Sequence, residues 1–149
     1  MSDIPARTSV VVVGGGPAGC LLALLLHARG VDTVVLELRS RDYVLSRVRA
    51  GVIEFGSGQT LRDVGVGDRM DKEGFVHEGV NLAFEHRLLH VDFEALTGKH
   101  VIIYGQTELQ KDLYDRMDQL GINLIDEAED VDIAGIEGDS PTVTFTRAG

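Results

Sequence analysis

Six residues, Gly14-Gly15-Gly16-Pro17-Ala18-Gly19, constrain this chain more than any other stretch. Glycine at four of six positions ends regular structure, because glycine loses more backbone freedom on ordering than any other residue. The flanks say what the turn joins. Before it, Ser9 to Val13 is a β-branched run suited to a strand covered on both faces. After it, Pro17 to Arg29 reads as a helix, with proline in its first turn and Gly30 as its stop. That helix is apolar nearly all round from Cys20 to Leu26, which predicts burial. Thr33 to Leu38, TVVLEL, is a second buried strand, so strand, turn, helix and strand fit within about 30 residues, the size of one βαβ unit. The expected fold class is α/β, a Rossmann-like βαβ with a parallel sheet.

The turn also matches G-x-G-x-x-G in the context that gives this pattern meaning: after a strand, opening a helix, with Glu37 near the end of the next strand. Gly14 permits the tight turn, Gly16 lets the backbone approach a diphosphate, and Gly19 lets helix and strand pack closely. The helix start adds N–H donors and positive potential. Glu37 would accept hydrogen bonds from an adenosine ribose. A carboxylate there repels a 2′-phosphate, so the tightly held nucleotide is expected to be FAD or NAD rather than NADP. The bland alternative is a glycine-rich turn beside a surface glutamate. The fingerprint alone does not choose between the two nucleotides, and it names no reaction.

Further along, Arg39 to Ile53 reads as a long irregular segment, of a length that tends to be functional. A helix is expected over Gln59 to Val64, and a second short one among the glycines at 65, 67 and 74. VNLAFE alternates like a half-exposed strand, and Val101 to Tyr104 is another short β-rich run. Thr107 with Gln110 forms a capping box for a helix ending at Leu120 and closed by Gly121. Asn123 to Asp126, Val131 to Ile136 and Thr142 to Thr146 read as strands. The closing TFTRAG looks like one strand of a hairpin whose partner is missing. No repeat or interdomain linker is visible, so residues 1–149 are taken as one unit.

Charge limits the partners. Asp and Glu number 24 against 14 Lys and Arg, a net charge of −10, which argues against a nucleic-acid or anionic-membrane surface. The apolar stretch Val10 to Leu26 is broken midway by the glycines and Pro17, which argues against a membrane span. One cysteine, Cys20, cannot form an internal disulfide. That fits a reducing cytoplasm, and Cys20 itself reads as a small core residue. Against this acidic background Arg47 and Arg49 stand one residue apart in SRVRAGVIEFG. His86 and His90 lie four apart, but no further ligand is spaced for a metal, so no metal site is expected. The DEAED run, Asp126 to Asp130, reads as a solvated turn, and His27 as a residue near a helix end.

DYVLSRVRAGVIEFG, GFVHEG and YGQTEL together resemble the amino-terminal part of the 4-hydroxybenzoate 3-monooxygenase family of flavoprotein aromatic hydroxylases. The resemblance runs from about Ser9 to Phe145. It implies that Gly14, Gly16, Ala18 and Gly19 cradle the FAD diphosphate and that Glu37 holds the ribose. It places Arg49 against the phosphates, and Arg47, Val48, Ala50, Gly51 and Val52 in the flavin-contacting loop, where Arg47 also meets a visiting nicotinamide nucleotide, NADPH or NADH. Gln106 matches a residue at the flavin's sugar-alcohol region, and His77 the solvent end of a proton relay that activates a phenol. Tyr43 matches a tyrosine near the nicotinamide nucleotide. Leu38 stands where relatives often carry arginine, for which Arg39 or Arg41 could compensate.

The implied reaction is hydroxylation of a phenolic acid by dioxygen, with a reduced nicotinamide as electron source. Rival readings are an NAD-dependent dehydrogenase domain and a non-catalytic nucleotide-binding protein. The family's second FAD motif and phenol-binding residues are not found in the sequence. The chain is therefore expected to be the amino-terminal portion of a longer enzyme, an incomplete fold that includes the start of a β-rich substrate-side region. It is expected to be inactive alone and to expose an apolar edge. A homodimer is the expected assembly of the full-length protein.

Overall fold

A computed structural model describes residues 5–47 and 49–147. Along the chain run β1 (Val10–Val13), α1 (Pro17–His27), β2 (Thr33–Leu36), α2 (Arg41–Ser46), β3 (Val52–Glu54), α3 (Phe55–Asp63), α4 (Asp68–Glu73) and β4 (Phe75–His77). Then follow β5 (Gly79–Phe84), β6 (Arg87–Asp92), α5 (Phe93–Thr97), β7 (Val101–Ile103), α6 (Gln106–Leu120), β8 (Asn123–Ile125), β9 (Ala128–Ala134) and β10 (Thr142–Arg147).

The residues pack as two compact units, where composition and the lack of a linker suggested one. The first comprises residues 1–47 and 113–149, the second residues 48–112, so α6 is divided between them by sequence. Neither boundary carries a Gly/Pro-rich stretch; the second falls inside a helix, which no linker signal can mark.

In the first unit β1, β2 and β8 form a parallel sheet with β2 in the middle. The central position explains why all four residues of β2 are buried, whereas β1 shows only Val12 fully inside. Thr33–Leu36 is β-branched at three of four positions, the composition of a strand covered on both faces. Helix α1 buries Cys20, Ala23 and Leu24. Its end is set by Gly30, whose φ of +72 lies in the left-handed region that glycine tolerates.

Below β2, Val34, Leu36, Ile125 and Ala128 form a cluster on which Val131, Val143 and Phe145 also pack. Those last residues belong to the antiparallel pair β9–β10. The missing hairpin partner for β10 is therefore β9, read too short from sequence because its first three residues lie in the acidic run. That run is not simply a solvated turn: Ala128 is core, and Asp126 accepts a 2.8 Å hydrogen bond from Arg147.

In the second unit β3 and β4 flank β7 antiparallel, and β5–β6 is a separate hairpin turning at Glu85 and His86, both at positive φ. Its core includes Ile53, Leu61, Met70, Ile102 and Tyr104. The long segment expected to be irregular instead contains α2, opened by the Ser40 side chain accepting from the Tyr43 N–H. Helix α6 starts at Gln106, so Thr107 lies inside it rather than at its cap, and Gly121 at φ +69 follows its end as expected.

Candidate dinucleotide site

The glycine turn lies between the end of β1 and the start of α1, and each glycine meets a different constraint. Gly14 has φ +113, which a side chain rarely adopts, and its N–H donates to the Leu36 carbonyl of β2 at 2.7 Å. A Cβ on Gly19 would overlap the Gly14 carbonyl oxygen, so the helix and the turn are in backbone contact there. A Cβ on Gly16 would meet nothing within 4 Å. Gly16 also caps α1 with no side-chain hydrogen bond. A helix start without a side-chain cap, beside open space, is an anion-binding geometry.

Glu37 faces this turn. Its Oε2 accepts from the Gly15 N–H at 2.8 Å and its Oε1 from the Arg39 N–H at 2.9 Å. Each carboxylate oxygen keeps further acceptor capacity, which two ribose hydroxyls could use. The structure thus brings together Gly14, Gly16, Ala18, Gly19 and Glu37. Behind the turn, Cys20 is fully buried and its thiol donates to the Gly15 carbonyl. Sequence reasoning missed Tyr114, whose hydroxyl donates to the same carbonyl at 3.1 Å from 99 residues away. Nothing local to α6 signals such a long-range bond.

At the end of β2, Leu38 is exposed, and α2 carries Tyr43, whose ring lies 5.4 Å from both the Arg39 and the Arg47 guanidinium carbons. Arg41 is committed elsewhere, with two 2.6 Å bonds to Asp118. Of the two arginines expected to compensate for Leu38, Arg39 is therefore the one placed beside Tyr43.

In the second unit Arg49 and Ala50 are exposed and Gly51 half-buried. Val48, also expected in the flavin-contacting loop, lies outside the described residues. A Cβ on Gly51 would overlap the Tyr104 carbonyl oxygen and lie 2.8 Å from the Gln106 nitrogen. That approach brings Gly51 beside Gln106, the first residue of α6. Tyr104 in turn donates its hydroxyl to Asp112 at 2.6 Å, and Asp112 takes a 2.5 Å ion pair from Arg69, which also holds Glu108 and Glu73. Burial, and then this bond to a carboxylate, raise the pKa of the Tyr104 hydroxyl.

His77 sits exposed on β4, opposite Val101 of β7. His86 and His90 are exposed on the β5–β6 hairpin, and His90 Nδ1 lies 2.8 Å from Asn81 Oδ1. No group of three or more potential metal ligands occurs among the described residues, and no helix there is long and apolar enough to cross a membrane.

A parallel βαβ with a glycine turn and a facing carboxylate defines a dinucleotide-binding α/β fold. Residues 7–149 match the FAD binding domain family, and the chain belongs to that family. It is 41% identical over 144 residues to p-hydroxybenzoate hydroxylase of Acinetobacter baylyi, covering 96% of this chain and 35% of that protein. It is 38% identical over 116 residues to 6-methylpretetramide 4-monooxygenase of Streptomyces rimosus, covering 74% of this chain and 27% of the relative. The chain thus spans about a third of the length of these curated relatives. Among solved structures, p-nitrophenol 4-monooxygenase PnpA of Pseudomonas putida superposes with a TM-score of 0.71 at 23% identity, over 91% of this chain and 38% of the other. That likeness concerns the fold.

Proposed function

We propose that this chain is the FAD-binding portion of an NAD(P)H-dependent flavin monooxygenase that hydroxylates a phenolic acid, converting 4-hydroxybenzoate to 3,4-dihydroxybenzoate. The observation that carries the reading is the glycine turn. Open space at Gly16, backbone contact at Gly19, a helix start without a side-chain cap and the Glu37 carboxylate match a diphosphate and a ribose at one place. The choice of reaction and substrate is supported by the identity to p-hydroxybenzoate hydroxylase across nearly the whole chain.

FAD, when bound, supplies the redox chemistry that links a nicotinamide reductant to dioxygen. The chain's own residues hold and orient it. Backbone N–H groups at Gly16, Ala18 and Gly19 would meet the diphosphate, while Glu37 would accept from the ribose hydroxyls. Arg49 would add a cation at the phosphates, Ala50, Gly51 and Val52 would lie along the ring system in the loop that also includes Val48, and Gln106 would bind the sugar-alcohol region. Arg39, Tyr43 and Arg47 form the surface we assign to the phosphates of the nicotinamide nucleotide, two guanidiniums flanking one ring. His77, exposed on β4, suits the solvent end of a proton path. We place the enzyme in the cytoplasm, as a homodimer acting on a small phenolic acid.

The test is the complete gene product. It should purify yellow with a flavin spectrum, and 4-hydroxybenzoate should accelerate its oxidation of NADPH or NADH with formation of 3,4-dihydroxybenzoate. A protein that stays colourless after incubation with excess FAD would overturn the cofactor assignment. A yellow protein indifferent to 4-hydroxybenzoate would overturn the substrate.

A further inference from the structure

Gly15 is the only fully buried residue of the six-residue turn. Its carbonyl oxygen accepts from the Cys20 thiol and from the Tyr114 hydroxyl, each at 3.1 Å. A carbonyl has two lone pairs, and both are engaged. Cys20 is 0% and Tyr114 2% exposed, so water cannot substitute for either donor. The tyrosine ring is itself clamped: the Arg41 guanidinium lies 5.1 Å from its centroid and is fixed by Asp118, one helical turn after Tyr114. Packing alone would be satisfied by phenylalanine and alanine at these positions. The oxygen and the sulfur call for a polar role.

A trans peptide points its carbonyl and the following N–H in opposite directions, and no cis bond occurs among the described residues. Fixing the Gly15 oxygen toward buried donors therefore turns the Gly16 N–H the other way. We propose that Tyr114 and Cys20 are positioning residues of the dinucleotide site, setting the peptide plane between Gly15 and Gly16 so that the Gly16 N–H faces the diphosphate. The inference rests on the FAD-binding reading above. It gives a task to a tyrosine remote in sequence and to a thiol that otherwise reads as core filler. Burial raises the Tyr114 pKa, so its hydroxyl remains a donor well above neutral pH.

Tyr114→Phe removes one oxygen and leaves the ring. The full chain, stripped of flavin, is titrated with FAD, ADP and adenosine, and ³¹P NMR is recorded on bound FAD. The expected result is about tenfold weaker binding of FAD and ADP, unchanged binding of adenosine, and shifted diphosphate resonances. Cys20→Ala should give a smaller loss, because a thiol is the weaker donor, and the double variant a larger loss than either, because the carbonyl then keeps neither donor. Equal losses for ADP and adenosine, or wild-type affinity with unshifted resonances, overturn the inference. A wild-type protein that takes up no FAD overturns the underlying reading instead. Should Tyr114→Phe fail to fold, the cysteine variants decide: Cys20→Ala weakens ADP binding and Cys20→Ser, which keeps a donor, restores it. A Cys20→Ala protein with wild-type ADP affinity sinks the proposal.

Discussion

In the first unit β2 is buried along its length, and the glycine turn beside it hangs on groups that water does not reach. In the second unit β4, β5 and β6 are exposed at nearly every position, and Arg49 and Ala50 lie at the surface. Its polar ties include exposed ion pairs, Arg62 with Asp71 and Arg69 with Glu73 and Glu108, beside one nearly buried carboxylate, Asp112, that takes both Arg69 and the Tyr104 hydroxyl. Buried hydrogen bonds hold one geometry because losing either partner strands the other in a low dielectric. Exposed ion pairs are screened and contribute little each. The contrast teaches that one loop of a small chain can be fixed by bonds in the core while another is held beside an open surface.

The sharpest way to break this comparison is to add one methyl group to each loop. Gly19→Ala drives a Cβ into the Gly14 carbonyl, and Gly14 cannot retreat because its N–H is tied to Leu36. We expect a loss of about 3 kcal/mol or more, read by urea unfolding. Gly51→Ala drives a Cβ into the Tyr104 carbonyl, where the Gly51 carbonyl accepts from the Tyr104 N–H at 3.0 Å, but Arg49 and Ala50 before it are exposed, so less packing opposes a shift there. About half that loss is expected. Equal losses would mean that the two loops are equally rigid.

A smaller effect separates buried from exposed charge within the second unit. The Asp112 side chain is only 10% exposed and binds both Arg69 and the buried Tyr104 hydroxyl. Asp112→Ala leaves that hydroxyl without its acceptor, at a cost of about 2 kcal/mol. Asp71→Ala removes a pair that is 44% exposed on the carboxylate side and should cost under about 1 kcal/mol. Thermal or urea melts of the two variants, compared directly, check the ranking.

The two regions were also unequally legible in sequence. β1, α1 and β2 announce themselves because burial on both faces leaves unbroken β-branched runs, and because Gly14 and Gly30 occupy positive φ that only punctuation residues favour. Glu37 was legible for the same reason, being tied by register to the turn. The second unit was harder. Its β4 and β6 expose nearly every residue, so neither shows the alternation of a half-buried strand, and in the first unit α2 hides behind Arg41 and Asp42 with no apolar stripe. Tyr114 was illegible because its partner is 99 residues away and only tertiary structure joins them. Arg41 could be ranked against Arg39 only once its bond to Asp118 was visible.

Acid should produce the smallest effect and the most local one. Asp71 and Glu108 are held below the usual carboxylate range, chiefly by hydrogen bonds from Arg62 and Arg69 respectively. A carboxyl with a depressed native pKa binds its proton less readily folded than unfolded. The stability it contributes is therefore complete above the unfolded value, near pH 4, and disappears as pH falls through the lower native values. Both carboxylates are more than a third exposed, so their joint contribution is no more than about 1 kcal/mol and should fade in 1 M salt. The Tyr114 hydroxyl, with its raised pKa, stays a donor throughout this window. Amide exchange between pH 5 and 3, corrected for its intrinsic pH dependence, should thus accelerate first in α3, α4 and residues 106–112. Protection lost first from β1, β2 or the start of α1 would show that the buried anchors are the weaker of the two.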